Sequence, residues 1–370
     1  MRTSITKPND MLVSSEPAVS IVIPCRNEKD QIEATIRSVL AQESPVGGFE
    51  VIVADGMSDD GTRGILQELA DEDPRLRIID NPGRIASTGL NRAIQAARGA
   101  IVARMDAHTE YASDYIRQCV TVLKETGSDN VGGPWVARGD GLVGSAIAAA
   151  FESSFGSGGA RGHDPDYSGP VDTVYLGCWP RDIFDRIGFF DEELVRNQDD
   201  EFNFRLKLAG GKIWQSPRIK SWYKPRASLR ALFKQYMQYG YWKIRVIQKH
   251  KIPASPRHLV PGGFVLLMLI LPLISLWRPF AIWTWLGLLG MYAIGIIAAS
   301  CITAAGRGWK LFPLLPFVFA CYHFGYGVGF LHGISDLLVL RRRRPRRTHT
   351  DLTRASASNV ITGPSERRID

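Results

Sequence analysis

Two sets of residues offer chemistry. Asp106 and His108 close the apolar run IVARMDAH at 101–108, and Asp199, Asp200 and Glu201 are consecutive acids within RNQDDEFNFRL. Side chains two apart at a strand end project to the same side. Asp106 and His108 would therefore present an oxygen and a nitrogen together. That pair suits a divalent metal shared with phosphate oxygens, which stabilises the charge of a departing diphosphate. The imidazole favours Mn2+ over Mg2+. A solvated, capped turn accommodates the same Asp-x-His, and its place at the end of a strand is what gives it weight. The three acids offer a general base. An attacking hydroxyl is a poor nucleophile without one in hydrogen-bond reach, and clustered carboxylates raise the pKa of one of their number. Acids at a helix N-terminus also complement its dipole, which accounts for one or two of them more readily than for three. Asp55 ends another apolar run and is placed to accept a hydrogen bond from a base N–H or to cap the following helix. Arg84 and Arg104 offer charge to phosphate or to solvent.

The elements that must position these residues follow from periodicity. Near-continuous apolar runs at 19–24, 49–54, 76–80 and 100–105 read as strands of a parallel sheet covered on both faces. Between and after them, 31–42, 64–69, 85–97 and 113–126 carry apolar residues at helical spacing. Four βα repeats make an open α/β sheet whose ligand sits at the carboxyl ends of the strands, where Asp55 and Asp106 lie. Beyond this the pattern loosens. A helix at 142–155 leads into GSGGARGHDPDYSGP, a stretch that suits a lid or a mobile surface loop. A short helix at 201–209 follows the acids. Residues 228–250 form a basic amphipathic helix that suits a membrane interface, the favoured reading because apolar segments follow, or packing on the α/β domain.

Composition divides the chain further. Its mean hydropathy of −0.07 hides a soluble part up to about residue 250 and three apolar segments at 259–277, 281–301 and 311–334, each near the ~20 residues needed to span a bilayer. Trp277, Trp283, Trp285 and Trp309 sit near their ends, as interfacial aromatics do. The net charge of +8 is concentrated in the arginine run that begins at Arg341. Beside apolar segments such a run is a juxtamembrane anchor facing anionic lipid, and no nucleic-acid-binding module accompanies it. The five cysteines form no CxxC or Cys/His cluster, which argues against zinc and for reduced thiols. The N-terminus lacks the apolar core of a signal peptide. The resulting division is a flexible segment 1–17, an α/β domain 18–225, an interface helix 226–252, a membrane domain 253–340 and a basic tail 341–370. Three crossings would place the α/β domain and the arginines on opposite sides, whereas the positive-inside rule puts the arginines in the cytosol. An even number of crossings removes the conflict, with one segment re-entrant or interfacial; Pro313, Pro316 and the glycines near Gly325 make the third segment irregular.

Taken together these motifs resemble the family-2 glycosyltransferases, over about residues 18–250. The resemblance implies the GT-A fold, an open, mostly parallel nucleotide-binding sheet with helices on both faces, here followed by transmembrane helices. VSIVIPCRNE is similar to that family's opening strand and nucleotide loop, implying nucleotide contacts from Pro24, Arg26, Asn27 and Glu28. DGMSDDGT aligns with its DDGSTDGT-type motif and puts Asp55 on the uracil-contacting acid. NPGRIASTGLNRAI, with Arg84, resembles the segment before the metal motif. MDAH falls on DxD, which makes Asp106 and His108 metal ligands and Asp106 a nucleotide contact. NQDDEFNFRL falls on the ED motif, with Asp199 as catalytic base and Asp200 and Glu201 as support. RMDAH, GGPW and RNQDDEFNFRL are most similar to the succinoglycan-type (ExoA-like) bacterial exopolysaccharide transferases. Two positions depart from the pattern. His108 replaces the second Asp of DxD. Residues 238–242, QYGYW, fall where processive synthases carry QxxRW, with Tyr241 in the Arg position, which leaves Gln238 and Trp242 for the acceptor and favours single-sugar transfer.

The expected protein is a multi-pass enzyme of the inner or plasma membrane with a cytosolic catalytic domain. It uses Mn2+ or Mg2+ to move a sugar, with inversion, from a nucleotide sugar (UDP-linked) to a polyprenyl-diphosphate-linked saccharide, in contact with membrane lipids and without nucleic acid. The rival readings are a processive synthase, a sugar nucleotidyltransferase, which has little use for an anchor, and a non-catalytic nucleotide-binding scaffold.

Overall fold

The computed structural model describes residues 16–342 and 347–350. Most of the expected flexible N-terminus and the tail from 351 onward lie outside the described residues. In chain order the elements are β1 (Val19–Cys25), α1 (Ile32–Leu40), β2 (Phe49–Asp55), α2 (Thr62–Glu72), β3 (Leu76–Asp80), α3 (Ala86–Ala96), β4 (Ile101–Arg104), β5 (Thr109–Tyr111), α4 (Tyr115–Thr126), β6 (Asn130–Gly133), β7 (Val136–Ala137), α5 (Gly141–Glu152) and α6 (Ser154–Ser157). There follow β8 (Gly169–Pro170), β9 (Tyr175–Pro180), α7 (Ile183–Ile187), α8 (Gln198–Leu208), β10 (Ile213–Gln215), β11 (Ser221–Tyr223), α9 (Leu229–His250), α10 (Val260–Ile274), α11 (Phe280–Arg307), α12 (Leu315–Gly333) and α13 (Arg347–Thr350).

The main sheet has eight strands in the order β3-β2-β1-β4-β9-β6-β10-β8. β1 pairs in parallel with β2 and β4, while β9 runs antiparallel between β4 and β6. The first half is thus parallel, as expected, and the whole sheet is mixed, because β9 returns from a distant part of the chain to sit beside β4. A three-stranded sheet, β5-β11-β7, stands beside it. Alternation along the central strands divides the core. Ile21, Ile23, Val51 and Val53 pack with α1, α2 and α4. Val22, Ile52 and Ala54 point the other way, toward α3, α7 and α8. A strand covered on both faces has no polar side to show, which is why these runs are apolar throughout.

Three helical stretches, Pro256–Ile274, Phe280–Arg307 and Leu315–Val339, are long and apolar enough to cross a membrane, so this is a membrane-associated protein. They are packed differently. α10 and α11 form an antiparallel hairpin, with Trp285 Nε1 donating to Met268 O at 3.1 Å and the Phe264 and Tyr292 rings 4.8 Å apart. The outer part of the hairpin is bare: Leu276, Trp277, Phe280 and Trp283 are 68–76% exposed. α12 packs on this hairpin, with the Phe324 ring 5.7 Å from those of Phe264 and Tyr292, and on its other side against the α/β domain and α9. Tyr322 Oη donates to Ile147 O of α5 at 2.9 Å. Further along, Gly325, Gly329 and Gly333 of α12 face Phe233, Met237 and Tyr241 of α9. Both series rise together, so α9 and α12 run parallel. At Gly329 an added Cβ would lie 1.9 Å from Met237 O, so the backbones touch, as small-residue stripes permit. The apolar stripe of α9, expected to face lipid, is covered by α12: Leu232 and Ile244 are buried, and Leu229, Phe233, Tyr236 and Ile247 partly so.

Candidate active site

A single cavity of about 1670 Å3 opens at the carboxyl ends of β1 and β4 and runs past the start of α8 to the inner side of the α10–α12 helices. At its first end, the loop after β1 is held by reciprocal bonds. Asn27, in the left-handed region at φ 54, donates its amide nitrogen to Asp59 at 2.8 Å and accepts from the Asp59 N–H at 3.1 Å. The Asn27 and Glu28 backbone N–H groups donate to Ser58 Oγ and Thr62 Oγ1, each at 2.9 Å. Pro24, Arg26, Asn27, Glu28 and Arg84 all line the cavity.

Asp106 and His108 line the same wall. Arg104, 7% exposed, donates through Nε to Asp106 Oδ1 at 3.1 Å. Its buried Nη1 has no hydrogen-bond partner among the described residues, and neither has His108 Nδ1, which lies 3.5 Å from Glu28 Oε1. The Asp106 N–H donates to Tyr111 Oη at 2.6 Å, which fixes the turn after β4.

The three acids separate as α8 begins. Asn197, at φ 61, starts the helix and donates its side-chain amide to Tyr239 O at 2.9 Å. Asp199 faces the cavity. Burial raises its pKa, Asp200 adds to the rise, and Arg104 opposes it. Asp200 lies 2.5 Å from Lys243 Nζ of α9. Burial works to raise its pKa, but Lys243 outweighs this and the net shift is downward. Two neighbouring carboxylates are thus driven apart, the usual mark of an acid–base site.

Residues 20–187 match the family described as Glycosyl transferase family 2. The succinoglycan biosynthesis protein ExoA of Rhizobium meliloti (strain 1021) is 32% identical over 330 residues, covering 87% of this chain and 96% of that protein. The chain belongs to glycosyl transferase family 2. A further relative, 24% identical over 326 residues and covering 85% of this chain and 97% of its own, is the dolichyl N-acetyl-alpha-D-glucosaminyl phosphate 3-beta-D-2,3-diacetamido-2,3-dideoxy-beta-D-glucuronosyltransferase of Methanococcus voltae. Among solved structures, a mannosyltransferase from Pyrobaculum calidifontis in complex with GDP-Man and Mn2+ superposes with a TM-score of 0.54 at 20% identity, covering 86% of this chain and 88% of that one. The shared fold is GT-A, and the protein is a glycosyltransferase.

Four expected site residues of this family-2 transferase stand elsewhere. Glu201 is buried away from the cavity, bonded to Arg205 at 2.9 Å and His250 at 3.0 Å; it ties α8 to α9. Asp55 is 2% exposed and off the cavity wall, where it accepts from Ser58 Oγ at 2.6 Å and Arg63 Nη1 at 3.2 Å. Gln238 and Trp242 are each 3% exposed. Gln238 accepts from Arg196 Nε at 3.2 Å, and Trp242 Nε1 donates to His349 O at 2.9 Å. Neither lines the cavity, because Gln238 is turned toward Arg196 ahead of α8 and Trp242 toward α13. The same helix meets the cavity through Gln235, Tyr236, Tyr239 and Lys243: two residues before the aligned motif, one inside it and one just after it. Sequence reasoning also missed an aromatic wall: Trp135 stacks on Tyr175 at 5.1 Å and on His163 at 5.7 Å. Trp135 was visible in GGPW, but nothing local brings β9 or the glycine-rich loop to it. That loop lines the cavity from Gly156 to His163.

Proposed function

We propose that the protein transfers one sugar, with inversion, from a UDP-sugar to a polyprenyl-diphosphate-linked saccharide during synthesis of an exopolysaccharide or cell-envelope glycan. The observation that carries this reading is the continuity of the cavity, which joins Arg26, Arg84 and Asp106 at one end to Phe264, Tyr292 and Tyr326 of the apolar helices at the other. Its ~1670 Å3 exceeds the roughly 300–1,000 Å3 of a single-ligand pocket, leaving room for two substrates. The lipid-linked acceptor named for the Methanococcus voltae relative agrees with this. The loop from Pro24 to Glu28 and Arg84 hold the nucleotide. Asp199 takes the proton of the acceptor hydroxyl as it attacks the anomeric carbon in line. Arg104 fixes Asp106 and sets a buried positive charge where the diphosphate departs.

Among the described residues no group of three or more His, Cys, Asp or Glu is assembled for a metal. Asp106 and the unpartnered His108 Nδ1 nevertheless fit a two-donor site that phosphate oxygens complete. These two residues would hold Mn2+ or Mg2+, which when bound neutralises the departing diphosphate. The reading is tested with membranes containing the protein, a panel of nucleotide sugars, and Mn2+, Mg2+ or EDTA. Metal-dependent transfer to the lipid fraction supports it; nucleotide binding without transfer to any lipid-linked acceptor refutes it.

A base with a raised pKa gives a pH signature. Asp199 accepts a proton only when ionised, so kcat/KM rises with pH along an acid limb lying above the ordinary Asp value of about 3.9. Arg104 favours the ionised form, so Arg104→Gln moves the limb to higher pH. A limb that stays in place in Arg104→Gln excludes Asp199 as the titrating base.

The hairpin of α10 and α11 crosses the bilayer out and back, while α12 stays with the α/β domain. α10, Val260–Ile274, extends about 22 Å at 1.5 Å per residue, most of the ~30 Å hydrocarbon core. Both the catalytic domain and Arg341 and Arg342 then face the cytosol. Arg278→Cys at the hairpin tip is expected to react with an impermeant thiol reagent from the outer side only, and Leu340→Cys from the inner side only. Labelling of both from one side overturns this topology.

A further inference from the structure

We propose that the junction of α9 and α10 is the subsite for the diphosphate of the lipid-linked acceptor, with Arg257 and His258 as its readers and Pro261 and Phe264 guiding the first isoprene units. This rests on the lipid-linked reading above. Along the cavity wall the chain changes character within a few residues. Arg257 and His258 lie in a 3-10 turn just before α10, and Pro261 and Phe264 lie in its first turns. A polyprenyl diphosphate has the matching order, two anionic groups joined directly to hydrocarbon.

The polar groups there are not used up. Among the described residues the ion pair of Arg257 is with Asp172, at 3.7 Å. His258 Nδ1 and Tyr326 Oη, across the cavity on α12, are buried polar atoms with no hydrogen-bond partner among the described residues, an arrangement that costs free energy until an acceptor arrives. Lys243, by contrast, is matched by Asp200 and keeps that acid from repelling an anion. Arg257 and His258 line one small pocket together with Asp200, the neighbour of Asp199, so the subsite is set beside the base.

The test is binding of farnesyl diphosphate, farnesol and inorganic pyrophosphate to the full chain in phosphatidylcholine vesicles, with and without phosphatidylglycerol, alongside UDP. Farnesyl diphosphate is expected to bind more tightly than farnesol or pyrophosphate alone, and about tenfold more weakly to Arg257→Gln, with UDP affinity unchanged. Lys310→Gln, outside the cavity, is expected to match the unaltered chain. Equal affinity in Arg257→Gln overturns the proposal. So does competition by UDP, which would place the probe in the donor site, or displacement by phosphatidylglycerol, which would make the site a reader of ordinary headgroups. If farnesyl diphosphate binding depends on Arg257 yet no lipid-linked saccharide is glycosylated, the subsite stands and the acceptor reading falls. If transfer occurs and binding ignores Arg257, the subsite alone falls.

Discussion

Asp199→Asn is expected to lower sugar transfer by roughly 10²- to 10⁴-fold, the usual contribution of a positioned base, while the protein folds and binds nucleotide as before. Asn is nearly isosteric and can still receive the Asp200 N–H, which the Asp199 carboxylate accepts at 3.0 Å. What it loses is the capacity to take a proton. The neighbouring acids make the control. Asp200→Asn deprives Lys243, 3% exposed, of its charge partner and is expected to cost about 1–3 kcal/mol of stability, less than a fully buried pair because Asp200 is itself partly open to solvent. Glu201→Gln frees Arg205 and His250 and acts on stability too. Single-turnover transfer measured beside thermal unfolding separates the effects. Full transfer by Asp199→Asn would remove Asp199 from the mechanism, and a stability loss equal to that of Asp200→Asn would make it a structural acid.

Gly329→Leu is expected to cost about 3 kcal/mol or more, beyond the common range for overpacking, because there is no space to relax into. Its Cβ would stand 1.9 Å from the Met237 carbonyl oxygen, and that oxygen belongs to a helix backbone that cannot rotate away. The two helices must separate, exposing Phe330, Leu337 and Tyr241 at their seam. Thermal unfolding in detergent reads the loss directly. An unchanged midpoint would mean that α9 and α12 are not in contact in the membrane. Gly290→Leu, whose Cβ meets nothing within 4 Å, is the matched control on the hairpin.

The part of the fold written in local periodicity was legible. The strands at Val19, Phe49 and Leu76 and the helices after them follow from apolar runs and 3.6-residue spacing, and the parallel pairing of β1 with β2 and β4 follows from those repeats. The insertion of β9 beside β4 was not legible, because pairing between strands 70 residues of chain apart leaves no mark in either one. That Asp106, His108 and Asp199 line one cavity was legible, since strand and helix ends fix where they lie. Gln238 and Trp242 were misplaced for a simple reason: a motif aligns positions, whereas the face of a helix that meets a cavity depends on its rotation against neighbours. The third apolar segment, read as membrane or re-entrant, is long and apolar enough to span, but composition alone did not show that it also packs along α9. The spacing of Gly325, Gly329 and Gly333 was the available sign that another backbone lies against it.

The hydrophobic helices are not a tether hung from a finished enzyme. Because Tyr326 and Phe264 belong to the same cavity wall as Asp106, severing the chain between His250 and Pro256 would not liberate a soluble transferase; it would split one reaction vessel down its length. On the proposed lipid-linked reading, such a vessel would work only where oil and water meet: its acceptor would reach it by sliding within a two-dimensional film and its donor by diffusing through the aqueous volume.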